Sequence, residues 1–240
     1  MIYGTRAVIE AIAAGKEIDK VMVQSGLSND LIKELIAVAR NNNIPITFVP
    51  AEKLKRISSK NHQGVICLLS IVAFASVDDL VYKAYNEGRE PFFLILDRVT
   101  DVRNFGAIVR TAECAGVDGI IIPDKGSVPI TSDAMKTSAG DLNHLPICRE
   151  KDLKKTIQLL HDNGIRVVAC TEKTERSIYQ LNLTGPVTVI LGSEEDGISD
   201  VLLRQADDLA QIPLKGKIGS LNVSVAAGIA LYEVVRQKGL

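Results

Sequence analysis

The sequence predicts an α/β protein of two parts, a small α/β domain at the N-terminus and a larger domain built on a mostly parallel sheet. Three observations carry this reading. Strand-like segments alternate with segments of helical periodicity from one end of the chain to the other. In the second part the strand-like segments are near-continuous apolar runs, the pattern of strands buried on both faces. Between the parts lies a short junction, Ala73-Phe74-Ala75-Ser76, too short and too poor in Gly and Ser to be a long tether. With 240 residues, 46% of them hydrophobic, the chain can bury one or two cores.

In order, Thr5 to Ala14 reads as a short helix and Lys20-Val21-Met22-Val23-Gln24 as a strand. Leu31, Ile32, Leu35, Ile36 and Ala39 recur at helical spacing, and Pro45 to Val49 follows as a strand. A helix over residues 51–57 and a strand over Gly64 to Leu69 complete the first domain, assigned to residues 1–72 with a linker at 73–77. The second domain, residues 78–240, opens with a helix near Val77 to Glu87 and the strand Pro91 to Leu96. Gly119 to Ile122, Arg166 to Cys170 and Val187 to Leu191 are further strands, each bounded by Gly, Pro or Asp.

Net charge is −1, so the molecule is not the strongly basic body of a simple nucleic-acid binder. Charge is unevenly divided: residues 1–75 carry 9 Lys and Arg against 6 Asp and Glu, a balance of +3, and the rest carries −4. Residues 52–62 hold four basic residues (Lys53, Lys55, Arg56 and Lys60) against one acid, either a phosphate-facing patch or an ordinary solvated helix face. The four cysteines, Cys67, Cys114, Cys148 and Cys170, are scattered without a C-x-x-C pair and read as reduced packing thiols rather than zinc ligands. No apolar run is long enough to span a membrane and the first residues do not resemble a secretion signal, so a soluble cytoplasmic protein is expected.

Ligands of parallel sheets sit beyond the carboxyl ends of the strands, which directs attention to three loops. The first runs Leu96-Asp97-Arg98-Val99-Thr100-Asp101-Val102-Arg103-Asn104-Phe105-Gly106, where Asn104 is expected to cap a helix and Arg110 to return its head over the helix start. The second, Leu191-Gly192-Ser193-Glu194-Glu195-Asp196-Gly197, places three acids between two glycines after an apolar strand; it serves equally as a plain turn. The third, Ile212 to Ser224, leads into a helix rich in small residues, with Ser220 as the expected cap. Asn222 and Ser224, polar residues opening an apolar helix, point to a specific partner. Phosphate loop, dinucleotide fingerprint, zinc-protease and serine-hydrolase motifs are all absent, and His62, His144 and His161 are dispersed, so no metal is expected.

Taken together, Asn-x-Gly-x-x-x-Arg at 104–110, Leu-Gly-Ser-Glu at 191–194 with Gly197, and Ile-Pro…Ser-Leu-Asn-Val-Ser at 212–224 resemble the signature motifs of the SpoU family of RNA 2'-O-methyltransferases, in order, spacing and setting. The resemblance implies a trefoil-knotted catalytic domain, a homodimer, and S-adenosylmethionine as cofactor. It implies that Thr171, Leu191, Gly192, Ile212, Ser220 and Leu221 hold the cofactor and that Asn104, Arg110, Glu194 and Asn222 carry the active-site roles. A free guanidinium is effectively always protonated, so Arg110 reads as a phosphate clamp and oxyanion stabiliser rather than a base. Residues 1–72 look like the ribosomal-protein-L30-like RNA-binding domain of enzymes that modify large-subunit rRNA, and the closest group makes 2'-O-methylguanosine in 23S rRNA. Arg6, Lys53, Lys55, Arg56, Lys60, His62 and Arg103 are the expected RNA contacts, although His62 and Gln63 serve equally to shape a turn. Glu195 departs from the family, which more often has Gly there. A tRNA ribose methyltransferase and a catalytically inert RNA-binding assembly adaptor are the competing readings.

Overall fold

A computed structural model describes residues 1–70, 72–130 and 144–239. They divide into two compact units: Met1–Ala73, with which Pro129 and Ile130 also group, and the remainder from Phe74.

The first unit is a four-stranded mixed sheet in the order β1-β4-β2-β3, formed by Ile2–Tyr3 (β1), Ile18–Gln24 (β2), Ile46–Val49 (β3) and Val65–Leu69 (β4). Helices α1 (Thr5–Ala13) and α2 (Asp30–Asn41) bury Val8, Ile12, Ile32 and Leu35 against one face. Asn29 caps α2 by accepting from Ile32 N at 2.9 Å. On the other face α3 (Ala51–Ile57) inserts a single fully buried residue, Leu54, among Met22, Val49 and Ile66. The remaining α3 positions 52, 53, 55 and 56 are exposed, which is why its basic residues concentrate there.

The second unit is a six-stranded sheet in which every pairing is parallel, in the order β10-β8-β9-β5-β6-β7. Its strands are Phe92–Asp97 (β5), Gly119–Pro123 (β6), Ile147–Glu150 (β7), Arg166–Cys170 (β8), Val187–Gly192 (β9) and Asp208–Ala210 (β10). Central β5 is buried along its whole length because helices cover both faces. Helices α4 (Val77–Asn86), α6 (Leu153–Asp162) and the short α7 (Asp200–Leu203) supply Val77, Val81, Ile157, Leu160 and Leu202 to one core. Elsewhere α5 (Val102–Cys114) packs on α8 (Val223–Lys238), which also meets β9. Ala227, Gly228 and Ala230 keep α8 slim on the side that meets α5, where Gly228 faces Thr111.

The chain builds outward from β5 through β6 to β7, then crosses to β8 and returns to insert β9 beside β5. The reversal lies between β5 and β9, paired from Phe92–Val187 to Asp97–Gly192, so their loops leave the sheet side by side. This is the switch point at which open parallel sheets bind ligands. The insertion of β9 between β8 and β5 is compatible with a knotted path.

The helix over residues 5–14 and every expected strand are present to within two residues. Three strands were not foreseen. Ile2–Tyr3 and Asp208–Ala210 are very short, and Ile147–Glu150 carries Arg149 and Glu150, which break the apolar run. Among the described residues no helix is long and apolar enough to cross a membrane.

Candidate active site

Two cavities open at the β5–β9 switch point. One, of about 470 Å³, is lined by the end of β8 and Thr171-Glu172, by the loop from Leu191 to Ile198, by Gln211, Ile212 and Leu214, and by residues 219–221, Val223 and Ala226. All six positions expected to hold a cofactor, Thr171, Leu191, Gly192, Ile212, Ser220 and Leu221, are among these residues. The other, of about 450 Å³, is lined by Arg98 to Asp101, Asn104, Gly126 and Val223. The two share Ser193, Glu194, Glu195, Asp196 and Val223, so the acidic loop is the wall between them.

At that wall three side chains from separate segments meet. Asn104 Nδ2 donates to Glu194 Oε1 at 2.9 Å, Asn222 Nδ2 donates to the same oxygen at 2.8 Å, and Asn222 Nδ2 also reaches Asn104 Oδ1 at 3.0 Å. Two amides therefore hold one oxygen of the Glu194 carboxylate. Among the described residues Oε2 is not engaged.

Capping differs from the sequence expectation and explains how the amides come free. Asp101, not Asn104, caps α5, its Oδ1 accepting from Asn104 N at 2.8 Å. Asn104 thus stands in the first turn with its side chain released. Asn222, not Ser220, caps α8: Asn222 Oδ1 accepts from Ser224 N at 3.0 Å and from Ser224 Oγ, while Nδ2 faces Glu194. One asparagine ends the loop, starts the helix and binds the carboxylate. An Asp three residues before Asn104 is itself a capping signal, and it is the one the helix uses.

The loop's shape follows from Gly192. A Cβ there would overlap the Gly197 carbonyl group and the Ile198 amide nitrogen. The missing side chain is thus required by the loop's own backbone. Gly197 closes the turn with φ +66°, and Gly197 N donates to Ser193 O at 3.0 Å.

Arg110 is not brought to this cluster by its own chain. It is exposed, lines neither cavity, and makes no hydrogen bond or ion pair among the described residues. Six residues along a helix turn a side chain about 240° beyond one full turn and carry it ~9 Å along the axis, so Asn104 and Arg110 face different directions.

The expected RNA contacts are placed as follows. Arg6, Lys53, Lys55, Arg56 and Lys60 are exposed in the first unit, with Lys60 Nζ 5.4 Å from the centre of the Tyr3 ring. His62 Nδ1 accepts from Gly64 N at 3.0 Å, and Gln63 has φ +48°, so these two shape the turn into β4. Arg103 is exposed in the first turn of α5. Burial pushes the thiol of Cys170, in the larger cavity, up to about 11, with the Glu172 charge adding to the effect. Burial likewise raises Cys67 to about 11 and Cys148 to about 12, so these three remain thiols at neutral pH. Glu172 and Ala226, which line the larger cavity, carried no motif signal. Among the described residues no group of three or more His, Cys, Asp or Glu side chains is placed to hold a metal ion.

Residues 91–232 match the SpoU rRNA Methylase family, and residues 1–74 match the family described as RNA 2'-O ribose methyltransferase substrate binding. A Bacillus subtilis (strain 168) protein named "Putative TrmH family tRNA/rRNA methyltransferase YacO" is 33% identical over 237 residues, spanning 99% of this chain and 95% of its own. An AdoMet-bound rRNA methyltransferase from Sinorhizobium meliloti has the same fold with a TM-score of 0.62 and 26% identity, over 95% of this chain and 84% of its own. A TrmH/SpoU tRNA modifying enzyme from A. aeolicus aligns with a TM-score of 0.56 and 24% identity, over 68% of this chain and 84% of its own.

Replacing Gly192 by Ala tests the loop. Its backbone φ is not in the left-handed region, so the substitution adds a steric demand alone. The variant is expected to lose roughly 1–3 kcal/mol, the usual cost of overpacking. Thermal unfolding measures it, and an unchanged melting temperature would show that the loop accommodates a side chain.

Proposed function

The chain belongs to the SpoU rRNA methylase family, and on that premise we propose that it transfers a methyl group from S-adenosylmethionine to a ribose 2'-hydroxyl of RNA, with a guanosine of 23S rRNA as the target. The observation that carries the reading is the convergence of Asn104, Glu194 and Asn222 on the wall between two adjoining cavities.

The larger cavity fits the cofactor by its chemistry. Glu172, Glu194, Glu195 and Asp196 line it and, among the described residues, no Lys, Arg or His does, a setting suited to a ligand bearing a sulfonium and an ammonium. Leu191, Ile198, Ile212, Leu221 and Ala226 offer apolar surface for an adenine ring. When bound, the cofactor supplies an already activated methyl group.

The residues of the chain then have positioning work to do. Asn104 and Asn222 fix Glu194 through one oxygen, leaving the other to accept from a substrate hydroxyl in the smaller cavity. Arg110, permanently charged, is suited to clamp an RNA phosphate and to stabilise the oxyanion that develops during attack. Because one protomer holds Arg110 away from its own cluster, we place its guanidinium in the site of a second protomer. The half-exposed Val225 and Tyr232 on α8, the helix packed on α5, supply apolar surface for that dimer.

The choice of rRNA rests on the first unit, which matches a substrate-binding family and carries the positive share of the charge. It is also supported by coverage, since the rRNA methyltransferase aligns with 95% of this chain and the tRNA enzyme with 68%.

Three tests address this reading. Mass-spectrometric mapping of ribose methylation, with and without the gene, should show loss of one 2'-O-methylguanosine from 23S rRNA; loss from tRNA instead would reassign the substrate. Ala226→Phe should fill the larger cavity and weaken S-adenosylmethionine binding at least ~10-fold in calorimetry, and unchanged affinity would move the cofactor elsewhere. Arg110→Ala should lower single-turnover methylation ~10²–10³-fold with little change in cofactor affinity. Co-expressing it with Glu194→Gln should restore roughly a quarter of wild-type activity, because half of the dimers are mixed and each then has one intact site. No recovery would place Arg110 in the site of its own protomer.

A further inference from the structure

Arg98 takes no part in the steps above, yet it is held at three points and by an unusual backbone conformation. It follows β5 directly and has φ +62°, one of three non-glycine residues in the left-handed region among the described residues. A bulky side chain is kept there only where its surroundings over-determine it. Here they do: Arg98 Nη1 donates to Asp196 Oδ2 at 3.1 Å, Nη2 to the Gly197 carbonyl at 3.1 Å, and Nε to Asp97 Oδ1 at 3.3 Å. Asp97 is buried, and its other oxygen accepts from Ser199 N at 2.7 Å. The Asp97–Arg98 pair therefore fastens the acidic loop at 196, 197 and 199 to the end of β5.

We propose that Arg98 is a positioning residue for methyl transfer: it fixes the Ser193–Gly197 wall between the two cavities and so sets where Asn104 and Asn222 meet the Glu194 carboxylate. This inference rests on the function proposed above. The Asp196 side chain is 68% exposed, and an ion pair so open to water adds little to folding stability. The loop residues Glu194, Glu195 and Asp196 are all exposed, so packing does not fix them. What the guanidinium contributes is geometry: one planar fork meets acceptors on β5 and on the loop at once, which an ammonium cannot reproduce.

The test uses the full-length protein and three readouts: thermal unfolding, S-adenosylmethionine affinity, and single-turnover methylation at saturating RNA and cofactor. Arg98→Gly removes the fork while placing glycine where the backbone is already left-handed, which offsets part of the stability lost when buried Asp97 gives up its partner, and the rate is read per folded molecule, well below the measured melting temperature. Its rate should drop ~10–100-fold, the scale of a small misplacement in a reacting site, and by more than cofactor affinity changes. Arg98→Lys should recover part of the rate. Asp196→Asn, which weakens the same clamp from the loop side, should slow the reaction too, and the double variant should be no slower than Arg98→Gly, because both act through one contact. A wild-type rate in Arg98→Gly, a loss equal to its unfolded fraction, or additive losses in the double variant would each overturn the proposal. A wild-type protein that methylates neither rRNA nor tRNA would overturn the function instead, an outcome distinct from an active wild type with an indifferent Arg98.

Discussion

Gly192 ends β9 so close to Gly197 and Ile198 that no side chain fits between them, and the rest of the site is arranged around that approach. The tight turn keeps Ser193 to Asp196 as a thin wall rather than an open loop. A thin wall can be shared by two cavities, and its outward carboxylate, Glu194, can be reached from both helices at once. Asn104 comes from the start of α5 after β5, and Asn222 from the start of α8 after the segment that follows β10. Neither helix would point its first turn at the wall unless β5 and β9 were neighbours, in register from Phe92 to Asp97. Sheet order, loop closure and side-chain convergence are thus consequences of one another.

How much of this was legible in the sequence depends on which physical signal each feature leaves. The strands of the second unit are runs such as Phe92-Phe93-Leu94-Ile95-Leu96, whose burial on both faces demands apolar residues throughout, so they announce themselves. β7 and β10 do not, because edge strands can carry Arg149, Glu150 and Asp208. The cavity-lining motif residues were legible because they cluster in three loops at the ends of strands. The capping assignments were not. Asp101 and Asn104 are both good caps, and only the structure shows which side chain is consumed by the helix and which is released. Arg110 lines neither cavity of its own chain, for a different reason. Sequence spacing measures distance along a helix, whereas a site is defined by direction, and six residues leave two side chains on different faces.

The distribution of charge gives the arrangement its sense. A polyanion approaching this site meets a wall bearing Glu194, Glu195 and Asp196, which by simple counting should repel it. The carboxylates on the side of the smaller cavity are, however, largely committed. Asp196 is paired with Arg98, Asp101 accepts from the amide end of α5, and Glu194 is held by two asparagine amides. Glu172 lines only the larger cavity, and among the described residues that line it there is no Lys, Arg or His. Of the two cavities only the smaller is lined by Arg98, which pairs with Asp196, so the described lining is less negative where an RNA backbone would come than where a cationic cofactor would lie. The chain's charge is divided in the same sense: residues 1–75, with the basic α3, balance at +3 and match a substrate-binding family, and the remainder balances at −4.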